Sequence, residues 1–290
     1  MNIRTFPRTM LRLALLAGLA ANCFAEDKTL LIHAARIFDG YTMHDDASVL
    51  ITDNKITGLG KDDTFSAIEA TRVDLGDATL LPGLIELHAH LNFRHVPADA
   101  VLRHGITTLR DVGGPLHAPY GGDGSLRVMT SGPIITAPEG YPIPSLGQAD
   151  IAVAVRDEEQ ARQTVRNLVA GGAVLIKVAL EPGGEIGAPW SGGHAHGHSH
   201  GNHDDRKAWP LLPENVVKAI VDEAHRLGRK VSAHLAESKG ARIALNAGID
   251  EWAHTPCAAL PDDLLKQAAV QRVKIVSTID TLAKCPGVTA

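Results

Sequence analysis

Cysteine is scarce, with three in 290 residues, which excludes a disulfide framework even in an oxidising compartment. It also excludes a thiolate cage: with 15 histidines, any metal site here is expected to use imidazole and oxygen donors. A basic surplus is missing as well. The formal net charge of −5 gives no electrostatic reason to expect a nucleic-acid partner and favours small-molecule chemistry. What is present is ordinary globular material, 44% hydrophobic and 21% charged, in a length that suits one large domain plus a small one.

The first residues place Arg4, Arg8 and Arg12 ahead of an apolar run from Leu13 to Ala21 and then small residues. This is the layout of a secretory signal peptide, with cleavage expected after Ala25. A membrane-anchoring helix is the competing reading, but the run is far short of the roughly 20 residues that span a bilayer. Asn22 disfavours a lipid anchor on Cys23. The expectation is therefore an exported protein, periplasmic or secreted, with no stable membrane anchor. Cleavage leaves Cys257 and Cys285, enough for one bridge, and takes the net charge to about −8.

From Thr29 to about Leu80, strand-like runs (LLIHAARIFDG, SVLITDNKITGLG, TRVDLGDATLL) are broken by turn signals. They predict a small β-sandwich-like domain over 26–80. After Pro82 and Gly83 apolar strands alternate with amphipathic helices, the pattern of repeated βα units on a parallel sheet. In RDEEQARQTVRNLVAGG, Ala161, Val165, Leu168 and Val169 share one helical face and Gly171 suits a left-handed cap. In PENVVKAIVDEAHRLG the stripe is Val217, Ile220, Ala224 and Leu227, ending at Gly228. Seven strands follow Leu80: LIELHAH, ITTLRDV, RVMTSGPI, AVLIKVAL, KVSAH, IDEWAH and VKIVSTI. The fold class expected for 81–290 is α/β, a (β/α)8-type TIM barrel lacking its last strand. The length after Leu80, about 210 residues against roughly 250 for a typical barrel, adds the expectation of a C-terminal truncation.

His88 and His90 close an apolar strand two residues apart, so both imidazoles project from one side into one space. That is metal-ligand spacing, although surface histidines at a strand end would read the same way. Lys177 lies inside the apolar run AVLIKVAL, where an ammonium must be paired, neutralised or modified unless it snorkels to the barrel rim. A neutral lysine can add carbon dioxide and become a carbamate, an oxygen ligand able to bridge two cations. His234 and His254 end two further strands at the same relative place, the C-terminal end where barrel active sites are assembled. Four histidines and one buried lysine at the ends of strands one, four, five and six are hard to explain as independent accidents.

With these residues and the stretches LLPGLIELHAHLN, GITTLRDVGG and IVDEAHRLGRKVSAHLAESKGARIALNAGIDEWAH, the chain resembles the amidohydrolase superfamily from about Thr29 onward, in its imidazolonepropionase-like and Xaa-Pro dipeptidase-like branch. The resemblance implies two divalent metal ions, with His88 and His90 on the more buried one, His234 and His254 on the other, and a carbamate on Lys177 bridging them. Zinc is the first choice for such donors, with manganese, cobalt, nickel or iron also compatible. Glu86 departs from the aspartate more usual in the family.

The activity implied is hydrolysis of an amide or peptide C–N bond of a small substrate (a dipeptide, an N-acyl amino acid or a cyclic amide) by a metal-activated water. The family's proton-shuttling aspartate belongs to an eighth strand, and Asp280 is a weak substitute, so the catalytic acid–base is unassigned and a chain of this length is expected to turn over poorly. Lactone or phosphotriester hydrolysis on the same scaffold, or a catalytically impaired periplasmic metal-binding protein, are the alternatives. Between strands four and five, GGHAHGHSHGNHDD carries His194, His196, His198, His200 and His203, an accessory metal-capturing loop or a solvated insertion. An oligomer is compatible with all of this.

Overall fold

The structure is a computed structural model of the chain and describes residues 29–91, 96–183, 208–235, 237–256 and 259–278. The expected leader (1–25), the loop histidines His194 to His203, Asp280, Cys257 and Cys285 lie outside the described residues. Among the described residues no helix is long and apolar enough to cross a membrane. The chain divides into two compact units, Met1–Pro82 and Gly83–Ala290.

In the first unit β1 (Leu30–Phe38), β2 (Met43–Thr52), β3 (Lys55–Gly60), β4 (Thr71–Asp74) and β5 (Thr79–Leu80) form one mixed sheet. β1 pairs antiparallel with β2 and parallel with β4 and β5. β2 turns into β3 through Asp53 and Asn54, whose φ of 51° and 60° are what a two-residue hairpin requires. Each face carries a small core: Ala34, Ile37, Ala47 and Val49 on one, Leu31, Leu50 and Phe65 on the other. The sandwich expected here is thus, among the described residues, a single sheet whose second face is covered by the 3-10 turn Asp62–Phe65.

The second unit holds two sheets. β6 (Leu84–Ala89), β7 (Ile106–Asp111) and β9 (Ser125–Thr130) run parallel, and β8 (Tyr120–Gly122) folds back antiparallel on β9. The other sheet is all parallel, in the order β11 (Ala152–Ala154), β10 (Ile134–Thr136), β12 (Ile176–Leu180), β13 (Val231–Leu235), β14 (Glu251–Trp252), β15 (Lys274–Ile275). All seven strands expected from the sequence are present, but among the described residues they do not pair into one closed barrel. One bond, Val174 N–H to the Thr130 carbonyl at 2.9 Å, joins the end of β9 to the approach of β12.

The helices are α1 (Ala98–Arg103), α2 (Ile143–Leu146), α3 (Glu158–Ala170), α4 (Glu214–Arg226), α5 (Ser238–Ala247) and α6 (Asp262–Gln271). α3 starts where the Asp157 carboxylate accepts the Gln160 N–H at 2.8 Å, an N-cap worth about 1 kcal/mol. It buries Ala161, Val165 and Leu168 as its periodicity requires. Its left-handed residue is Gly172 (φ 109°) rather than Gly171 (φ −83°), because the helix makes one more turn bond before the chain reverses. α4 does end on a left-handed Gly228. The buried stripes of α3 to α6 merge with β12, β13 and Trp252 of β14 into one core. β12 and β13 are therefore buried on both faces, and a polar side chain on either must find its chemistry inside the protein.

Candidate metal centre

The five residues singled out by strand position come together. His88 lies near the end of β6 and His90 directly follows the strand, with their Nε2 atoms 3.3 Å apart and ring centroids 5.2 Å apart. His234 sits in β13 and His254 just past β14. His254 Nε2 lies 3.0 Å from His234 Nδ1, and the His254 ring centroid stands 4.6 Å from that of His88 and 4.5 Å from that of His234. Lys177, in β12, is fully buried, and its ammonium bears electrostatically on all four imidazoles. The β6 to β7 pairing shifts register between Glu86 and Ala89, and Glu86 Oε1 accepts the His88 N–H at 2.7 Å. The carboxylate that departs from the family pattern is thereby tied to the backbone of its own strand.

The electrostatics follow from burial. All four imidazoles are held well below the usual histidine value, by desolvation first in every case, with the Lys177 charge contributing; for His90 the result is about 3. They are neutral at pH 7, the state in which imidazole ligates. Burial also pushes the Lys177 ammonium down to about 7, with Glu251 opposing and Arg110 adding to the shift. Its Nζ makes no hydrogen bond among the described residues.

The donor set fits a pair of divalent ions. Two nitrogens on one tetrahedral zinc, each at about 2.0–2.1 Å, stand about 3.3 Å apart, close to the separations within the two histidine pairs. Among the described residues no three histidine, cysteine, aspartate or glutamate side chains make a ready cage. The arrangement is instead two imidazole pairs with a lysine beside them. His254 Nδ1 is bonded to Thr278 Oγ1 at 2.7 Å. A proton on that nitrogen leaves Nε2 bare on the side of His234.

Several neighbours were not foreseen. Glu181, four residues after Lys177, is 1% exposed. Its Oε1 accepts the Gly183 N–H at 2.5 Å, and its Oε2 lies 3.6 Å from His234 Nε2. Burial pushes its carboxyl up to about 7 against the lowering effect of that N–H. Tyr141 packs on His234 with ring centroids 4.6 Å apart and stacks on Trp209 at 5.5 Å. Burial raises its hydroxyl far above the usual value. Asp111, at the end of β7, is buried, accepts the Gly113 N–H at 3.3 Å and is raised by desolvation. Gly113 lies close to the site: a Cβ there would stand 2.8 Å from Ile134 Cδ1 and 3.2 Å from His90 Cε1, so a side chain would have to displace both. The Glu181 position was open to sequence reasoning, because residues 177, 179 and 181 of one strand face the same side.

No family model matches the chain. An uncharacterised protein of Mycobacterium tuberculosis is 26% identical over 224 residues, covering 72% of this chain and 53% of that protein. The chain thus spans about half the length of the curated relatives it matches. Among solved structures, a Xaa-Pro dipeptidase with bound methionine in the active site superposes with a TM-score of 0.65 at 22% identity, covering 87% of this chain and 67% of that one. An amidohydrolase superposes with a TM-score of 0.64 at 20% identity, covering 91% and 71%. The chain therefore shares the fold of these two solved structures, the Xaa-Pro dipeptidase and the amidohydrolase.

Proposed function

We propose that this chain is a binuclear metal-dependent amidohydrolase that cleaves an amide or peptide C–N bond in a small substrate. The observation that carries the reading is the meeting of four imidazoles, those of His234 and His254 buried and those of His88 and His90 half-buried, with a buried lysine that makes no hydrogen bond among the described residues. In this reading the two parallel sheets are consecutive parts of a (β/α) barrel, with the site at the C-terminal ends of its strands. His88 and His90 would hold one divalent ion, His234 and His254 the other, and Lys177 as its carbamate would bridge them, with zinc the metal best suited to the donors. Bound ions supply a water of lowered pKa and polarise the scissile carbonyl.

The chain's own residues do the rest. Desolvation keeps the imidazoles unprotonated and Thr278 fixes the tautomer of His254. The low-dielectric surroundings make the Lys177 amine neutral enough to add carbon dioxide. The fold neighbour with bound methionine is a Xaa-Pro dipeptidase, which supports dipeptides as the first substrates to try. Export to the periplasm or beyond, and the capture of zinc by His194 to His203, belong to the same proposal.

The test is metal content per chain after dialysis, with residues 194–203 deleted so that the loop cannot contribute. Two zinc ions per chain, lost in His88→Ala/His90→Ala, is the expected result, with at most slow release of free amino acid from dipeptides or N-acyl amino acids by a chain of this length. A loopless chain that retains no metal would overturn the reading.

A further inference from the structure

Glu181 has no place in the chemistry above, and its surroundings are unusual for a carboxylate. It projects from the same side of β12 as Lys177 and is buried as deeply, 1% exposed in each case. Its Oε1 is used by the Gly183 N–H, whereas Oε2 is buried and makes no hydrogen bond among the described residues. No arginine or lysine pairs with it among the described residues; the nearby basic group is the His234 ring, 3.6 Å from Oε2. Two aromatic rings close the same place. Trp209 is anchored by its N–H to the Pro182 carbonyl at 2.9 Å and lies against Gly183, where φ is 90° and a Cβ would stand 3.0 Å from Trp209 Cε3. Tyr141 stacks on Trp209 and packs on His234. A buried carboxylate with no arginine or lysine paired to it among the described residues, and two stacked aromatic rings against the neighbouring Gly183 and His234, together make a donor set that recognises an ammonium group, by charge-assisted hydrogen bonds and cation–π attraction.

We propose that Glu181 is a specificity-determining residue, its carboxylate receiving the ammonium group of a small amine-bearing substrate against the Tyr141 and Trp209 rings. Resting on the amide-hydrolase reading, this narrows the substrates to those with a free amino group near the scissile bond, such as unblocked dipeptides, over N-acylated ones. The competing role for Glu181 is to orient His234 as a ligand.

Binding of benzylammonium and of its neutral counterpart benzyl alcohol to the zinc-loaded full chain, read by calorimetry, separates the two without requiring turnover. Wild type should prefer the cation by about tenfold or more. Glu181→Gln, which keeps an oxygen for the Gly183 N–H, should bind both alike while retaining its zinc, and Glu181→Asp should keep a reduced preference. Equal binding of the two probes by wild type would overturn the proposal, as would a preference that survives in Glu181→Gln, including the case in which that variant loses zinc. Zinc content after dialysis of the same samples keeps the two ideas apart: cation preference in a chain that retains no zinc sinks the amidohydrolase reading, and two retained zinc ions without cation preference sink this one.

Discussion

His254 Nε2 lies 3.0 Å from His234 Nδ1, with both rings nearly buried, and what holds this pair in place is on the far side of the His254 ring. There Nδ1 meets Thr278 Oγ1 at 2.7 Å. Thr278 has a φ of 47°, a conformation disfavoured for a β-branched residue, so its hydroxyl is held in position at a cost. Thr278→Val keeps the shape and removes the bond. Zinc affinity, measured by competition with a chromophoric chelator, should fall about 10–100-fold with the melting temperature of the metal-free chain nearly unchanged. Equal affinity in the two proteins would mean that His254 does not depend on this partner.

Lys177 should behave oppositely with and without metal. In the metal-free chain a buried ammonium is a liability, so Lys177→Met, which keeps the volume and drops the charge, should melt at or above the wild-type temperature. Added zinc should raise the wild-type melting temperature through preferential binding to the folded state and leave the variant where it was. A metal-free variant that melts well below wild type would show that the amine is engaged structurally instead.

Arg110 of β7 and Glu251 of β14 join the two sheets of the larger unit by an ion pair at 2.5 Å, with side chains 17% and 14% exposed. Removing one partner strands the other charge, so Glu251→Ala or Arg110→Ala should each cost about 3 kcal/mol. The double variant should be less unstable than the sum by roughly 1–3 kcal/mol, as read by urea denaturation. Strict additivity would show that the pair contributes no coupling.

The strands of the second unit were legible because strands buried on both faces read as continuous apolar runs, and the helices between them because their stripes repeat at the helical period. β10, β11 and the β8 to β9 hairpin were missed. The first two are three residues each, too short to carry a period, and the hairpin turns at Asp123 and Gly124, both with positive φ, a signal that needed only closer reading. How strands group into sheets is a tertiary property, so a single barrel lacking its last strand was expected where the described strands form two sheets. In the site, His88, His90, Lys177, His234 and His254 stood out because each ends or interrupts an apolar strand. Thr278 lies in the expected run VKIVSTI but past the end of β15, Tyr141 and Trp209 reach the site from outside the strands, and nothing in their local sequence marks any of the three.

In the small unit, His33 of β1 bonds Asp74 through Nδ1 at 3.2 Å and Asp46 through Nε2 at 3.1 Å, and the second oxygen of Asp46 faces Lys61 Nζ at 3.4 Å. The hydrogen bond with Asp74, then that with Asp46, raises the His33 pKa above its ordinary 6.5. Asp46 is lowered from 3.8, chiefly by His33 and then Lys61, and Asp74 chiefly by the Gly76 N–H and then His33. A raised histidine stabilises the fold fully below 6.5 and loses that contribution as pH rises through its folded value. The lowered carboxylates stabilise it above 3.8 and lose that contribution as pH falls through theirs. Between about pH 4 and about pH 6.5 both contributions are present, so the small unit should melt higher at about pH 5.5 than at about pH 8.5. Both carboxylates are largely exposed, so the difference should be modest and should shrink in high salt. His33→Gln should remove it. Nuclear magnetic resonance titration of the His33 ring reports the cause directly, and a midpoint at or below 6.5 would show that the two aspartates do not hold the proton.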